Sequence, residues 1–291
     1  MDRRNPHQPF DPPLIQGFLS GRELVSAALL TGGKSNSSYK LVLRADDAFV
    51  LRLYSSGDAA RQTYAMSLVR GLVPVPVELD RGAGWSVFSF LEGELLESVP
   101  EHADKTAEVL ASIASVSFES QGWIEPDGSI TPFSFGGHDG FTDQMLEPPA
   151  VLPWIGQEAA DETLRIQNSG SRRYGEMDAE SRLVHGDFNP MNILIQDGEV
   201  SGVLDWEYCH SGSSYMDIGN LLRHTAPAYR HLAEKGLKAG GMALPDDWQE
   251  RAELADLSSH LEFLTSPLSD DFKRQCVGRI RRFIEKFGQG R

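Results

Sequence analysis

The sequence predicts an α+β chain: a small antiparallel sheet near the N-terminus, followed by a larger, mostly helical remainder. Three observations carry this. First, runs of strand character at Val25–Leu30, Tyr39–Leu43 and Ala48–Tyr54 sit close together, separated by turn residues. Second, apolar residues recur near the helical period in several long segments from Pro100 onward. Third, residues 183–207, LVHGDFNPMNILIQDGEVSGVLDWE, hold two short apolar runs around Asp197-Gly198, the strongest short-range hairpin signal in the chain.

The 291 residues are enough for one large domain or two smaller ones, and 40% hydrophobic with 24% charged residues is ordinary globular composition. Cys209 and Cys276 stand in no metal-ligand spacing and read as small buried hydrophobes in a reducing, cytoplasmic setting. No basic segment with a long apolar run opens the chain, so neither a signal peptide nor a membrane span is expected. The net charge of −15 is unevenly spread: residues 92–184 carry 5 Lys and Arg against 18 Asp and Glu. That argues against nucleic acid, whose phosphates need basic patches, and allows a cationic small-molecule partner.

Residues 1–12 hold three prolines and read as a flexible arm, and Leu14–Leu24 as a short helix. Between the first two strands lies Thr31–Ser38, whose small residues allow backbone N–H groups close to phosphates. Gly33-Lys34-Ser35 is not a P-loop: the required earlier glycine is Ala28, and a strand rather than a helix follows. Asp58–Arg70 reads as a helix, Gly71–Leu79 as the run into a fourth strand, and Trp85–Leu91 as a fifth, broken by Glu92-Gly93-Glu94. Pro100–Val116 is helical by period. Residues 120–156 read as a long irregular stretch, rich in Gly, Pro, Asp and aromatics, and are assigned to a lid or wall of a binding site. Gln157–Gln167 is a helix, with a flexible turn at Asn168-Ser169-Gly170. After the hairpin, helices are expected at Ala226–Gly240, Pro245–Leu264 and Ser269–Phe287.

Folding the hairpin about Asp197-Gly198 sets position 192 opposite about position 203. Asp187, Asn192 and Asp205 then meet at one open end of a β-ribbon. Asp and Asn oxygens suit Mg²⁺, which keeps room for waters and phosphate oxygens. A remaining carboxylate can take the proton of an attacking hydroxyl, a division of labour that suits phosphoryl transfer.

This stretch resembles the catalytic loop and metal hairpin of the aminoglycoside phosphotransferase family, relatives of the protein kinases and of choline kinase-like enzymes. His185-Gly186-Asp187 with Asn192 five residues after Asp187 matches the kinase spacing of Asp and Asn, and Asp205 in Asp-Trp-Glu stands where the kinase Asp-Phe-Gly aspartate stands. The resemblance implies a bilobal protein-kinase-like fold, with a nucleotide-binding N-lobe over residues 1–91 and a helical C-lobe over 92–291. It implies Asp187 as catalytic base, Asn192 and Asp205 as Mg²⁺ ligands, and His185 and Asp217 as supports of the catalytic loop. Gly32, Gly33, Ser35, Asn36 and Arg52 are expected on the phosphates of ATP or GTP. Phe88, Ser89 and Leu91 are expected at the base. The helix glutamate that the family often pairs with the strand cation is missing: Gln62 and Thr63 stand near its place, so Arg52 has no evident partner.

The implied activity is transfer of a γ-phosphoryl group to a hydroxyl of a small, cationic acceptor, foremost an aminoglycoside-type antibiotic. Glu207, Asp139, Asp143, Asp256 and Glu262 are the candidate contacts for its ammonium groups. A metabolic kinase of an amino alcohol, a sugar or homoserine is the first alternative. A non-catalytic nucleotide-binding pseudokinase is the second; its only support is the missing helix glutamate, and the intact Asp187, Asn192 and Asp205 oppose it. A monomer or weak dimer is expected.

Overall fold

Alternation in the third strand decides how the N-terminal sheet is buried. Leu51 and Leu53 face one side and Val50, Arg52 and Tyr54 the other, because successive strand residues point to opposite faces. A computed structural model describes residues 5–31, 35–44, 47–56, 59–147 and 149–288, without the side chains of residues 138, 139 and 171.

The described chain starts with a short helix α1 (Gln16–Leu19) and strands β1 (Leu24–Leu30), β2 (Ser37–Leu43) and β3 (Ala48–Leu53). Helix α2 (Ala60–Val69) follows, then β4 (Glu78–Gly82) and β5 (Trp85–Ser89). These five strands form one antiparallel sheet in the order β1-β2-β3-β5-β4. Ile15 and Phe18 pack with Leu41, Leu51, Leu53 and Val87 on one face, which gives the short helix its role. Tyr54 and Phe88 belong to the main core on the other side.

One expectation here is corrected. The arm is docked where it is described: the Gln8 N–H donates to Ser37 Oγ at 2.9 Å, and the Tyr39 hydroxyl donates to Gln8 O at 2.6 Å. The run from Gly71 leads into the fourth strand as expected, and the strand starts at Glu78, because Pro74 and Pro76 have no N–H for a ladder. The Pro74 carbonyl instead accepts the Val203 N–H at 2.9 Å, tying this run to the hairpin.

Past β5 the chain adds β6 (Glu94–Leu95) and helix α3 (Ala103–Ile113). The stretch over 120–156 is more ordered than its composition implied. It holds β7 (Gly122–Ile124), β8 (Ile130–Thr131), α4 (His138–Leu146) and α5 (Leu152–Ile155). Helix α6 (Gln157–Ser169) extends through Asn168 and Ser169, where a flexible turn was expected, and α7 (Ser171–Asp178) follows directly. Strand β9 (Arg182–Val184) leads to the catalytic-loop segment. The hairpin is β10 (Ile193–Gln196) with β11 (Glu199–Val203), and β12 (His210–Gly212) follows. Helices α8 (Tyr215–His224), α9 (Arg230–Ala239), α10 (Trp248–Thr265) and α11 (Asp270–Gly288) complete the chain.

Two small sheets place the site. β6 pairs with β10 beside β11, and β8-β7-β12-β9 form a four-stranded sheet. The loop 185–192 therefore runs from one small sheet to the other. Asp197 and Gly198 both have positive φ, as a two-residue hairpin turn requires. The register is shifted by one from expectation: Ile193, not Asn192, faces Val203. The architecture is the expected bilobal kinase-like one, a small antiparallel sheet over a larger helical part. No helix of the described residues is long and apolar enough to cross a membrane.

Candidate active site

Asp217 builds the base of the loop. It lies in the first turn of α8 and is 2% exposed. Its carboxylate accepts the His185 N–H at 2.6 Å and the Gly186 N–H at 2.9 Å. Burial pushes its pKa up to about 6, against the pull of His185 and these two donors. His185, fully buried, uses both ring nitrogens: Nδ1 accepts the Asp187 N–H at 3.2 Å, and Nε2 donates to Leu204 O at 2.9 Å. The ring is thus a strut between the loop and the end of β11, wedged against Trp206 with ring centroids 4.7 Å apart.

Gly186 explains why arginine, the kinase residue, is absent there. Its φ is +83°, and an added Cβ would lie 2.4 Å from the Tyr208 carbonyl oxygen.

The Asp187 carboxylate is held at both oxygens. Asn189 Nδ2 donates to Oδ1 at 2.8 Å, and Asn192 Nδ2 donates to Oδ2 at 2.9 Å. Asn189 is a functional neighbour that the sequence reading missed. It is 4% exposed, and its own Oδ1 accepts the Met191 N–H at 2.9 Å. A signal existed in its position two residues after Asp187, where Asn commonly bonds the local backbone. The Asn192 amide nitrogen also donates to Asp187 O at 2.9 Å, which leaves its carbonyl oxygen as the open group. Asp205 ends the hairpin in a left-handed conformation, φ +66°, a geometry that Asp tolerates better than most residues.

Arg52 comes to this end of the hairpin from β3. Its Nη2 lies 2.6 Å from Asp205 Oδ1 and 3.1 Å from Glu207 Oε2. Burial opposes its charge, but the two carboxylates outweigh burial and raise its pKa. Glu207 Oε2 also accepts Asn36 Nδ2 at 2.8 Å, and Asn36 Oδ1 accepts the Ser55 N–H at 3.1 Å. Burial, with the nearby Asp205 charge, raises the Glu207 pKa despite Arg52. A cleft of about 610 Å³ opens beside this network, lined among others by Ser35, Asn36, Tyr54, Gln62 and Glu207.

Asp187, Asn192 and Asp205 therefore lie along one end of the hairpin, linked by the 2.8 Å bond from the Leu204 N–H to Asn192 O. Among the described residues no group of three or more His, Cys, Asp or Glu side chains could hold a metal ion. A cation here would rest on the oxygens of Asp205 and Asn192, with further ligands from solvent or phosphate. That donor set fits Mg²⁺, and the Arg52 guanidinium already seated on Asp205 marks the place as one that takes positive charge.

The remaining expected residues are more dispersed. Phe88 is 6% exposed in the main core, and the Ser89 N–H donates to Val77 O at 2.9 Å at the end of β5. Leu91 lies beside Gly202. Gly32 and Gly33 fall outside the described residues, as does the side chain of Asp139. Asp143 and Glu262 are exposed on α4 and α10. Two of the acids expected on substrate are engaged elsewhere, which corrects their assignment. Asp256, 8% exposed, pairs with Arg223 and with His260 at 3.2 Å. Glu207 is bound to Arg52 and Asn36, on the side of the N-terminal sheet.

The phosphotransferase enzyme family model matches residues 26–254. The chain belongs to this family. Hygromycin-B 4-O-kinase of Escherichia coli is 24% identical over 228 residues, covering 72% of this chain. The match spans just under two thirds, 64%, of that relative's own length. Among solved structures, macrolide 2'-phosphotransferase MphH from Brachybacterium faecium superposes with a TM-score of 0.70 at 15% identity, over 94% of this chain and 98% of that one. A thermostable mutant of aminoglycoside phosphotransferase APH(4)-Ia, solved with AMP-PNP and hygromycin B, gives 0.66 at 18% identity over 95% and 99%. A Thermobifida fusca protein assigned as a fructosamine-3-kinase gives 0.65 at 17% identity over 93% and 98%. At these identities the superpositions establish the fold alone.

Proposed function

We propose that this phosphotransferase moves the γ-phosphoryl group of ATP to a hydroxyl of a small molecule. The observation that carries the reading is the convergence of Asp187, Asn192 and Asp205 at one hairpin end, with Arg52 reaching them from the N-terminal sheet. Asp187 orients the acceptor hydroxyl and takes its proton. Both its oxygens are pinned by side-chain amides, so the carboxylate meets the hydroxyl in a fixed direction, with lone pairs to spare. Asn192 and Asp205 hold Mg²⁺, which when bound neutralises charge on the phosphate oxygens. Arg52, Asn36, Ser35, Gly32 and Gly33 position the phosphates. Phe88, Ser89 and Leu91 border the adenine. Residues 1–91 form the nucleotide half and 92–291 the acceptor half. ATP, rather than GTP, is favoured by relatives solved with AMP-PNP or ADP.

The acceptor we propose is an amine-bearing, aminoglycoside-type antibiotic met in the cytoplasm, so the activity confers resistance. The acidic segment 92–184 and the hygromycin-kinase relative favour it. A specific observation favours a second reading, a metabolic kinase of an amino alcohol or sugar: Glu207 and Asp256, two of the acids that could bind ammonium groups, are already engaged. The test is ADP release with Mg²⁺ and ATP, with a GTP arm, against aminoglycosides, macrolides, amino alcohols and sugars. Turnover on one antibiotic supports the first reading, turnover on a metabolite alone the second. Nucleotide binding without turnover on any acceptor would overturn both.

A further inference from the structure

We propose that Glu207 is the anchor of Arg52: a positioning residue, supplied from beyond the metal hairpin, that replaces the glutamate α2 lacks. The proposal rests on the phosphotransfer reading above. Helix α2, ARQTYAMSLV, holds no acid, and Gln62 is committed to the Tyr54 hydroxyl at 2.8 Å. Arg52 cannot be held from the helix. The carboxylates that reach it among the described residues are Asp205 and Glu207.

These two carboxylates are not equivalent. A cation bound to Asp205 competes with the guanidinium for the same charge, so that contact weakens when Mg²⁺ and nucleotide arrive. Glu207 has no such rival. Its Oε2 binds Arg52 and Asn36 together, and Asn36 is fixed in turn by the Ser55 N–H. One carboxylate thus joins β3, the segment entering β2 and the end of the hairpin. The pair is sheltered, with side-chain exposures of 15% and 26%, where solvent screens it less than a surface pair. Glu207 thereby aims Arg52 at the phosphates and fixes Asn36 at the entry to β2.

The experiment is AMP-PNP affinity by calorimetry on the full chain, in EDTA and in Mg²⁺. The proteins are wild type, Glu207→Gln, Glu207→Asp, Arg52→Met and the Arg52→Met/Glu207→Gln double variant. Loss of one charged hydrogen bond predicts that Glu207→Gln weakens AMP-PNP binding about ten- to a hundredfold. The loss is larger in Mg²⁺, where the cation draws Asp205 away, than in EDTA, where Asp205 still holds Arg52; Glu207→Asp recovers part of it, and Glu207→Gln adds little to Arg52→Met under either condition. Thermal melts keep folding defects apart from binding defects. A Mg²⁺-dependent loss from Glu207→Gln that persists in full on the Arg52→Met background makes Glu207 a metal ligand and overturns the anchor. So do unchanged affinity, additive losses, or equal loss in the Asp and Gln variants. A wild-type chain that binds no AMP-PNP overturns the phosphotransfer reading itself, which separates the two failures.

Discussion

Gly186→Ala tests the packing of the catalytic loop against the metal segment. The wild-type residue has φ +83°, where a side chain costs about 1–2 kcal/mol. The new Cβ would also meet Tyr208 O at 2.4 Å, Tyr208 Cβ at 2.8 Å and Tyr208 C at 2.9 Å. Two of these atoms are backbone, so relief requires the chain to move, at about 1–3 kcal/mol for an overpacked contact. The sum is roughly 2–5 kcal/mol, and at about 2–4 °C per kcal/mol the middle of that range lowers Tm by roughly 7–14 °C. Activity falls further than stability. Tyr208 follows Glu207 directly, and displacing it moves Asp205 and Glu207 away from Asp187. A misplacement of about 1 Å at such a site costs on the order of a hundredfold in rate. The assay is kcat from coupled ADP release together with a thermal melt. Gly186→Arg, the protein-kinase residue, is expected to be at least as damaging. An alanine variant with native kcat and a Tm within about 2 °C of wild type would refute the packing account.

Four further outcomes are expected. Asp187→Asn lowers kcat by about 10²–10⁴-fold while nucleotide affinity holds, and turnover near wild type in that variant excludes Asp187 as the base. Asp256→Ala strands Arg223, whose side chain is 6% exposed; urea titration should find a loss of about 3–5 kcal/mol. Burial holds the His260 pKa below its ordinary 6.5, so the unfolded chain binds a proton there first and stability falls as pH drops through 6.5. Asp256, held below 3.8 by His260 and Arg223 against burial, adds to the loss in stronger acid. His260→Phe should flatten the profile between pH 7 and pH 5, and an unchanged slope contradicts it. Cys209 is buried and its thiol is pushed up to about 12, while burial also raises Cys276. Neither should react with a thiol reagent at pH 8 until the protein is unfolded, and rapid labelling of the native chain would contradict their burial.

Local chemistry made much of this protein legible in its sequence. The three N-terminal strands, the Asp197-Gly198 turn and the long final helix follow from side-chain period and turn residues, which act over a few positions. The spacing of Asp187 and Asn192 let the loop be placed before its bonds were known. The family resemblance, rather than local chemistry, pointed to Asp217, whose carboxylate accepts the His185 and Gly186 N–H groups. What stayed hidden depends on partners brought together from far along the chain. Residues 120–156 looked irregular because β7 and β8 are too short to show a period, and β7 gains its order by pairing with β12. Asp256 looked available to substrate until packing set it against Arg223, 33 positions earlier. Arg52 looked unpartnered because its partners are 153 and 155 residues away. A carboxylate's role is set by which cation the fold carries to it, and neither composition nor period specifies that, so the sequence determined the elements and the tertiary structure decided the pairings.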